Sequence, residues 1–525
     1  MREFVETIDA MPSKRLFQSI IADYNLERSI CELIDNALDI WVIRGRTDLL
    51  TINVRLDIRR QFITIEDDAG GIEKENMNLI VGPGLTLMAP EDTVIGFFGV
   101  GSKRAVVHLS MLTYITSRYV DEPTYQVEVN DSWIDDEDNW NLPLYEVDNI
   151  NEGSTRIELI RLRNPLEEED VTNLKSYLMA TYARFLQDPQ IRILINGDSL
   201  SPKLFQDWCF PPDSRPVHII SNIELEDGED VFIEVWGGLA SESSPTGGDY
   251  GFFFYCNDRL IARGIKSPLL GFQKGQIGPP HPKIALTKVI VSLRGAAQNM
   301  PWNSSKSDLN YNHPIMTSIR ERLIEIGLRY AKVSRGFVGD WPERFLQYTT
   351  GQFIEEKIDN FATADTSYLP PIPPIRPSYI NRVTRDNRSI GEDRPWTVGL
   401  YEGIIAVDFL FKKRTLQYKN RMCLILLDST LEIAFKEYLI HESGTRYSQN
   451  RLREMFSQRN LVNNEMRNYL TLDEMEWRRI QYYYNLRCSL IHERATARID
   501  DDAIEDYKAI VEQVLESLFD LQFDT

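Results

Sequence analysis

Three polar side chains in the first tenth of the chain, Glu32, Asn36 and Asp39, stand at i, i+4 and i+7 in Glu32-Leu33-Ile34-Asp35-Asn36-Ala37-Leu38-Asp39. On a helix, at about 100° per residue, all three project from one side. A carboxylate there can take a proton from an attacking water, and a carboxamide beside it can offer a hard oxygen to Mg²⁺. Alone, the pattern fits an amphipathic helix with an acidic solvent face equally well. A second acidic point is Asp67, in Asp67-Asp68-Ala69-Gly70-Gly71-Ile72. A carboxylate at a strand end can accept a hydrogen bond from an exocyclic amine, and adjacent glycines let the backbone approach a flat ring. An acidic, glycine-rich hairpin turn has the same composition. The third stretch is Gly96-Phe97-Phe98-Gly99-Val100-Gly101-Ser102-Lys103, running into a helical pattern at 104–109. Glycines entering a helix N-terminus expose backbone N–H groups at the positive end of the dipole, which suits phosphate. The stretch lacks the Gly-Lys-Ser/Thr ending of a P-loop and is no βαβ dinucleotide fingerprint.

These residues need elements to hold them. Leu33, Ile34, Ala37 and Leu38 make an apolar stripe that predicts a helix, with Asp23 or Asn25 as its cap. Residues 50–56 and 62–66 alternate as two strands joined by a polar turn at Arg59-Arg60, and the second strand delivers Asp67. Residues 73–95, with Gly82-Pro83-Gly84, read as a loop, and Gly153-Ser154-Thr155 reads as a turn into a strand at 156–159. Further on come a helical pattern at 171–185, a strand and turn at 191–198, and buried strands at 231–236 and 251–261. Residues 362–396, including Pro370-Pro371-Ile372-Pro373-Pro374 and Pro377, predict an extended, polyproline-type connector. From 401 the pattern turns helical, at 422–440, 447–459, 472–491 and 503–523, which predicts an α-bundle.

A chain of 525 residues holds two to four domains at roughly 100–200 residues each. With 42% hydrophobic and 26% charged residues it has the makings of ordinary globular cores. No apolar run approaches the roughly 20 residues of a membrane span, and residues 1–6 contain no signal-peptide core, so a cytoplasmic location away from membranes is expected. The five cysteines are odd in number and scattered, without a CxxC pair, which argues for a reducing compartment and against structural zinc or a disulfide framework. The net charge of −21 repels a nucleic-acid backbone and weighs against general DNA coating. Lys412-Lys413-Arg414 with Lys419 and Arg421 is a local basic candidate, although short charge runs are more often solvated faces.

The ordered set Glu32-x-x-x-Asn36-x-x-Asp39, Asp67-x-Ala69-x-Gly71, Gly96-x-x-Gly99-x-Gly101 and Gly153-Ser154-Thr155 resembles the Bergerat ATP-binding fold of the GHKL superfamily. That resemblance implies a role for each position. Glu32 would activate water and Asn36 would coordinate Mg²⁺, with Asp39 in the same nucleotide-binding set. Asp67 would bind the adenine amino group, Gly71 would line the adenine pocket, and Thr155 would support the base through Asp67 or water. Gly96, Gly99 and Gly101 would wrap the phosphates in a lid, with Lys103 adding charge. Ala69 departs from the usual glycine, and the last motif is Gly-Ser-Thr rather than Gly-Thr. Retention of Glu32 favours hydrolysis over mere binding and argues against a histidine kinase. Residues 161–335 resemble the α/β transducer of MutL- and MORC-like proteins, on the mix of strands and helices and on Phe254-x-x-Asn257-x-Arg259-Leu260-Ile261. There a transducer lysine reaches the γ-phosphate, and Lys306 in Trp302-Asn303-Ser304-Ser305-Lys306-Ser307-Asp308 is the match. The alternative for Lys306 is an ordinary surface lysine in a polar loop.

Near the end of the third bundle helix, Arg487 and His492 stand five residues apart, roughly one and a half turns. With the helix that follows, they resemble the HEPN domain, whose nuclease members use His for proton transfer and Arg for phosphorane charge on RNA, across a dimer. Cys488 stands where a polar residue is usual, and an Arg and a His at a helix end also serve as caps. The expected architecture is α+β. It comprises a Bergerat α/β sandwich ATPase at 1–160, an α/β transducer at 161–335, a Pro-rich linker at 336–400 and a HEPN-like all-α bundle at 401–525. The expected function is Mg²⁺-dependent ATP hydrolysis in a homodimer, controlling an RNA-cleaving effector. Prokaryotic antiphage defence is an expectation by association alone. One alternative is a chaperone- or clamp-like scaffold whose bundle binds a partner protein without nuclease activity. The other is a MORC-type DNA clamp, which the charge disfavours.

Overall fold

The structure is a computed structural model. It describes residues 4, 14, 24–46, 48–136, 139–211, 214–225, 228–241, 249–337, 353–364, 369–370, 372, 379–413, 416–492 and 499–523. The chain divides into two compact units, Met1–Pro374 and Ile375–Thr525.

The first unit opens on helix α1 (Leu26–Ile43), whose N-cap Asn25 accepts the Arg28 N–H at 3.0 Å. The hairpin β1 (Leu50–Asp57) and β2 (Phe62–Asp67) follows, then α2 (Gly101–Leu109), β3 (Ser110–Arg118), β4 (Thr124–Asn130), a short α3 (Asp131–Asp135), β5 (Leu144–Val147) and β6 (Ser154–Leu162). Next come α4 (Glu168–Thr181), β7 (Ile191–Ile195) and β8 (Asp198–Ser199). The strands lie in the order β5-β4-β3-β6-β2-β1-β7-β8, antiparallel except for the parallel pair β1 and β7. Strand β1 buries every second residue (Leu50, Ile52, Val54, Leu56), and on this face Ile30, Leu33, Ile34 and Leu38 of α1 share one core with Leu174 and Leu178 of α4. Burying one such side chain stabilises by about 1.5–3 kcal/mol relative to exposure.

The second layer of this unit is a sheet of β9 (Trp208–Cys209), β10 (Val217–Glu224), β11 (Asp230–Ala240), β12 (Gly251–Cys256), β13 (Arg259–Ile265), β14 (Thr287–Arg294) and β15 (Ile354–Asn360), in the order β13-β12-β14-β11-β10-β15, with β9 also paired to β11. Helix α5 (Pro314–Gly336) buries Ile319, Leu323, Ile326 and Tyr330. A Cβ on Gly237 of β11 would meet Ile326 at 2.5 Å, so that glycine lets the helix approach the strand.

Several elements differ from the sequence reading. The run at 251–261 is a hairpin rather than one strand, because Asn257 and Asp258 take φ values of 47° and 68°, the left-handed turn that Asn and Asp tolerate. The loop at 73–95 contains a 3₁₀ helix at Lys74–Ile80. Strands β7 and β8 lie past residue 160 yet belong to the first sheet, since β7 pairs along β1. The expected connector at 336–400 holds β15, which pairs in parallel with β10, and the first helices of the second unit. Pro371, Pro373, Pro374 and Pro377 lie outside the described residues.

The second unit is helical: α6 (Tyr379–Asp386), α7 (Arg388–Asp393), α8 (Val398–Phe411), α9 (Lys419–His441), α10 (Gln449–Phe456), α11 (Arg459–Met466), α12 (Glu474–His492) and α13 (Asp501–Phe519). The helix expected at 447–459 is α10, which ends at Phe456; Gln458 goes extended at φ −136° and ψ 116°, and α11 follows from Arg459 to Met466, where no helix was expected. The core draws on Leu424, Leu427, Leu431 and Phe435 of α9 and on Tyr507, Val511, Val514 and Leu518 of α13. Among the described residues no helix is long and apolar enough to cross a membrane.

Candidate active site

An open cleft lies beside α1 and the N-terminus of α2. Of the residues singled out in the sequence, Glu32, Asn36, Asp67, Gly96, Gly99, Gly101, Lys103, Thr155 and Lys306 all border it. Leu33, Ala37, Ile72, Ile80, Val106 and Ile157 supply apolar wall. A pocket with apolar walls and a few convergent polar groups is the usual form of a small-molecule site.

Helix α1 presents Glu32 and Asn36 to this cleft because they are one turn apart, but their environments differ. Asn36 is exposed, with its carboxamide free to face a ligand, whereas Glu32 is 3% exposed. Glu32 Oε2 accepts a hydrogen bond from Lys306 Nζ at 2.7 Å, and Oε1 lies 3.5 Å from the Tyr24 hydroxyl. Asp39, expected on the nucleotide-facing side, does not border the cleft. Its buried carboxylate accepts the Ile95 and Gly96 N–H groups at 2.7 Å each, tying the end of the 73–95 segment to α1. Burial outweighs those two bonds and pushes its pKa up to about 7.

At the N-terminus of α2 the glycines serve close approach. A Cβ on Gly101 would stand 1.9 Å from Glu32 Oε2, and Gly99 (φ 65°) passes so near Leu85 that a Cβ would meet its carbonyl at 2.7 Å. Lys103 donates to the Leu85 carbonyl at 2.8 Å, and burial lowers its pKa to about 8.

On the sheet side, Asp67 ends β2 directly opposite Thr155 of β6. Its Oδ1 accepts the Ala69 N–H at 3.1 Å, and loss of solvent raises its pKa to about 7. The Thr155 hydroxyl is 2.9 Å from that of Ser117, which also accepts the Ile72 N–H at 2.9 Å. Gly71 is not among the residues bordering the cleft. It has φ 68°, and a Cβ there would fall 2.1 Å from the Arg118 carbonyl, so the end of β3 is what excludes a side chain.

Lys306 comes from the second layer, on the turn between Trp302 and Leu309, which form an isolated bridge. It is 4% exposed, and besides Glu32 it reaches Asp35 Oδ2 at 3.2 Å. Burial alone would lower its pKa, but the Glu32 and Asp35 carboxylates overcome that and leave it raised. Its backbone is left-handed at φ 48°, a conformation that costs a non-glycine residue about 1–3 kcal/mol and persists only where the surroundings impose it.

Sequence reasoning missed the partners behind this arrangement. Asp35, about one turn on from Glu32 in α1, is fully buried; Arg259 Nε lies 3.0 Å from its Oδ1, and the Tyr182 hydroxyl donates to it at 2.7 Å. Arg259 also donates to the Lys306 carbonyl at 2.8 Å. Burial opposes the guanidinium charge, but Asp35 outweighs it, and the pKa of Arg259 is raised. The signal for Asp35 was an acid beside Cys31 and Leu38, four before and three after it on the helix face, since a buried carboxylate needs a partner. Arg259 stood in the transducer-like phrase without a role.

The second unit treats its two candidates differently. Arg487 is turned inward, with Nε 3.5 Å from the Oδ2 of fully buried Asp428. Arg459 and Tyr507 hold the other oxygen at 3.2 and 3.0 Å. His492 is the last residue of α12 and is exposed. Among the described residues no hydrogen bond or ion pair joins Arg487 to His492. In the basic candidate patch, Lys412 pairs with Asp408 at 2.9 Å, Lys419 pairs with Asp501 at 3.2 Å, and Arg421 donates to the Leu490 carbonyl. Arg414 lies outside the described residues.

Residues 24–159 match the family described as "Histidine kinase-, DNA gyrase B-, and HSP90-like ATPase". They carry a GHKL-type ATPase domain, and the matched stretch includes every cleft residue named above except Lys306. No curated protein matches the chain. Among solved structures, the chain is similar to the ATPase and transducer domains of DNA topoisomerase II from Balamuthia mandrillaris, at 13% identity, covering 59% of this chain and 84% of that one, with a TM-score of 0.36. It is also similar to the ATPase region of Saccharomyces cerevisiae topoisomerase II, at 12% identity, covering 54% and 77%, with a TM-score of 0.36. At these values neither likeness bears on substrate or assembly.

Proposed function

We propose that the first unit binds ATP with Mg²⁺ and hydrolyses it, with Glu32 as general base and Lys306 supplying charge to the terminal phosphate. The observation that carries this reading is the convergence of Glu32, Asn36, Asp67, the Gly99–Gly101 turn and Lys306 on one cleft, from segments up to 274 residues apart. The residues fit the nucleotide. Asp67 offers an acceptor at an apolar wall, and the side-chain-free N-terminus of α2 offers N–H groups to phosphate. They also fit Mg²⁺, which takes few protein ligands and completes its shell with phosphate and water; Asn36 is the exposed oxygen donor for it. When bound, Mg²⁺ neutralises charge on the phosphates. Glu32 takes a proton from the attacking water once Lys306 has turned to the phosphate. Asp39 holds the hinge of the lid rather than touching the nucleotide.

On this reading the nucleotide state controls pairing of two protomers and, through it, the helical unit; the homodimer rests on the GHKL resemblance. For the bundle, the engagement of Arg487 with buried Asp428 favours a partner-binding scaffold over RNA cleavage. The HEPN-like RNase reading, with its antiphage role, rests on Arg487 and His492 alone. Purified protein with Mg²⁺ and ATP tests the main reading. Glu32→Ala should still bind ATP while hydrolysis falls by about 10²–10⁴-fold, and a mutant as fast as wild type overturns the assignment. RNA cleavage by wild type that is lost in His492→Ala would restore the effector reading.

A further inference from the structure

We propose that Arg259 is a positioning residue for this reaction: it holds the Lys306 turn in its left-handed form and, through Asp35, fixes that turn to the helix carrying Glu32. The inference rests on the ATPase reading and adds the group that aligns its two halves.

Glu32 belongs to the first layer and Lys306 to the second, so their meeting depends on how the layers are joined. Arg259 begins β13, just after the Asn257–Asp258 turn, and is 2% exposed. One edge of its guanidinium reaches Asp35 Oδ1 at 3.0 Å and another donates to the Lys306 carbonyl at 2.8 Å. Asp35 spends its second oxygen on Lys306 Nζ at 3.2 Å, so a single carboxylate ties the turn at both its backbone and its side chain. Tyr182, from the end of α4, steadies Asp35 at 2.7 Å. A planar fork can span a carboxylate and a carbonyl at once, whereas an ammonium is a point charge. Arg259 does not border the cleft, so it acts through Lys306 and not on the nucleotide.

The charges support the same role. Glu32, Asp35, Arg259 and Lys306 sum to zero in a dry cluster. When Lys306 swings to a terminal phosphate, Asp35 keeps Arg259, so no buried carboxylate on that side is stranded. Without the bond to its carbonyl, the Lys306 backbone would relax from φ 48° toward the ordinary region and carry Nζ off its line to the cleft.

The test is Arg259→Lys in the full chain, measuring kcat, KM, and equilibrium affinity for ADP and for a non-hydrolysable ATP analogue. Misplacement of a reacting group by about 1 Å costs about 10²-fold, and that is the expected fall in kcat. ADP affinity should stay at the wild-type value, and the preference for triphosphate over diphosphate should shrink. A purely structural role would instead lower both affinities together. Wild-type kcat in a folded Arg259→Lys, or parallel loss of ADP and analogue binding, overturns the proposal. If Arg259→Lys does not fold, Tyr182→Phe loosens Asp35 while keeping the ring. A smaller fall in kcat at constant ADP affinity then supports the proposal, and unchanged kcat overturns it. A wild-type protein that neither binds nor hydrolyses ATP would fail the ATPase reading and this inference together, an outcome distinct from active wild type with unaffected variants.

Discussion

Gly101 is the first residue of α2, and its missing side chain leaves room for the Glu32 carboxylate; Gly101→Ala fills that room. Alanine suits the position locally, since it is favoured over glycine in a helix by up to about 1 kcal/mol. The cost falls on Glu32. The new Cβ would lie 1.9 Å from Oε2 and 2.7 Å from Cδ. To restore ordinary contact the carboxylate must retreat by roughly 1.5 Å. It is the end of a side chain with rotatable bonds, so an off-rotamer χ at about 0.5–1.5 kcal/mol absorbs the clash. The helix gain and the rotamer cost nearly cancel, so the loss of stability is that of the stretched Glu32–Lys306 pair, about 1.5–3 kcal/mol. The 2.7 Å bond to Lys306 does not survive such a shift, and the displaced base should lose about 10²-fold in hydrolysis. Phosphate release under steady state, thermal unfolding and calorimetry with an ATP analogue read the three quantities separately. A variant that binds the analogue and hydrolyses ATP at the wild-type rate refutes the reasoning. One that loses binding and rate together would show that the glycine serves the phosphates rather than Glu32.

Asp67→Asn should abolish nucleotide binding without loss of fold, because an amide can present a donor where an adenine amine needs an acceptor; unchanged affinity by calorimetry would remove Asp67 from the site. Lys103, at a pKa of about 8 without nucleotide, should be drawn upward by phosphate, so binding at pH 8 should take up about half a proton. Calorimetry in buffers of different ionisation enthalpy measures this, and zero uptake would place Lys103 away from the phosphates. Arg487→Ala strands part of the Asp428 charge and should lower stability by about 1–3 kcal/mol, whereas His492→Ala should stay within about 0.5 kcal/mol. Equal melting of the two variants would contradict the inward role of Arg487.

The primary sequence by itself determined which local elements carry the polar residues that border the cleft, because the interactions that set those elements are local. The i, i+4 spacing of Glu32 and Asn36 puts both on one helical face. The alternation at 62–66 carries Asp67 to a strand end, and glycines at 96–101 free the start of α2. Local pattern also announced the bundle through its three- and four-residue apolar spacing, though not the short helix α11 at Arg459–Met466. For Asp39, helical periodicity gives a direction but not what lies there, and the Ile95 and Gly96 N–H groups arrive from another segment. Nor does local pattern give the reason for Gly71, where the Arg118 carbonyl at the end of β3 leaves no room for a Cβ. The likeness of Arg487 and His492 to a catalytic pair held no information about Asp428, which sits on a different helix. Only the tertiary structure decided that Lys306 meets Glu32, and that Asp35, Arg259 and Tyr182 hold them together. Those contacts span up to 274 residues. They exist because the two sheets pack in one unit, and burying opposite charges together is the only low-cost way to keep them out of water.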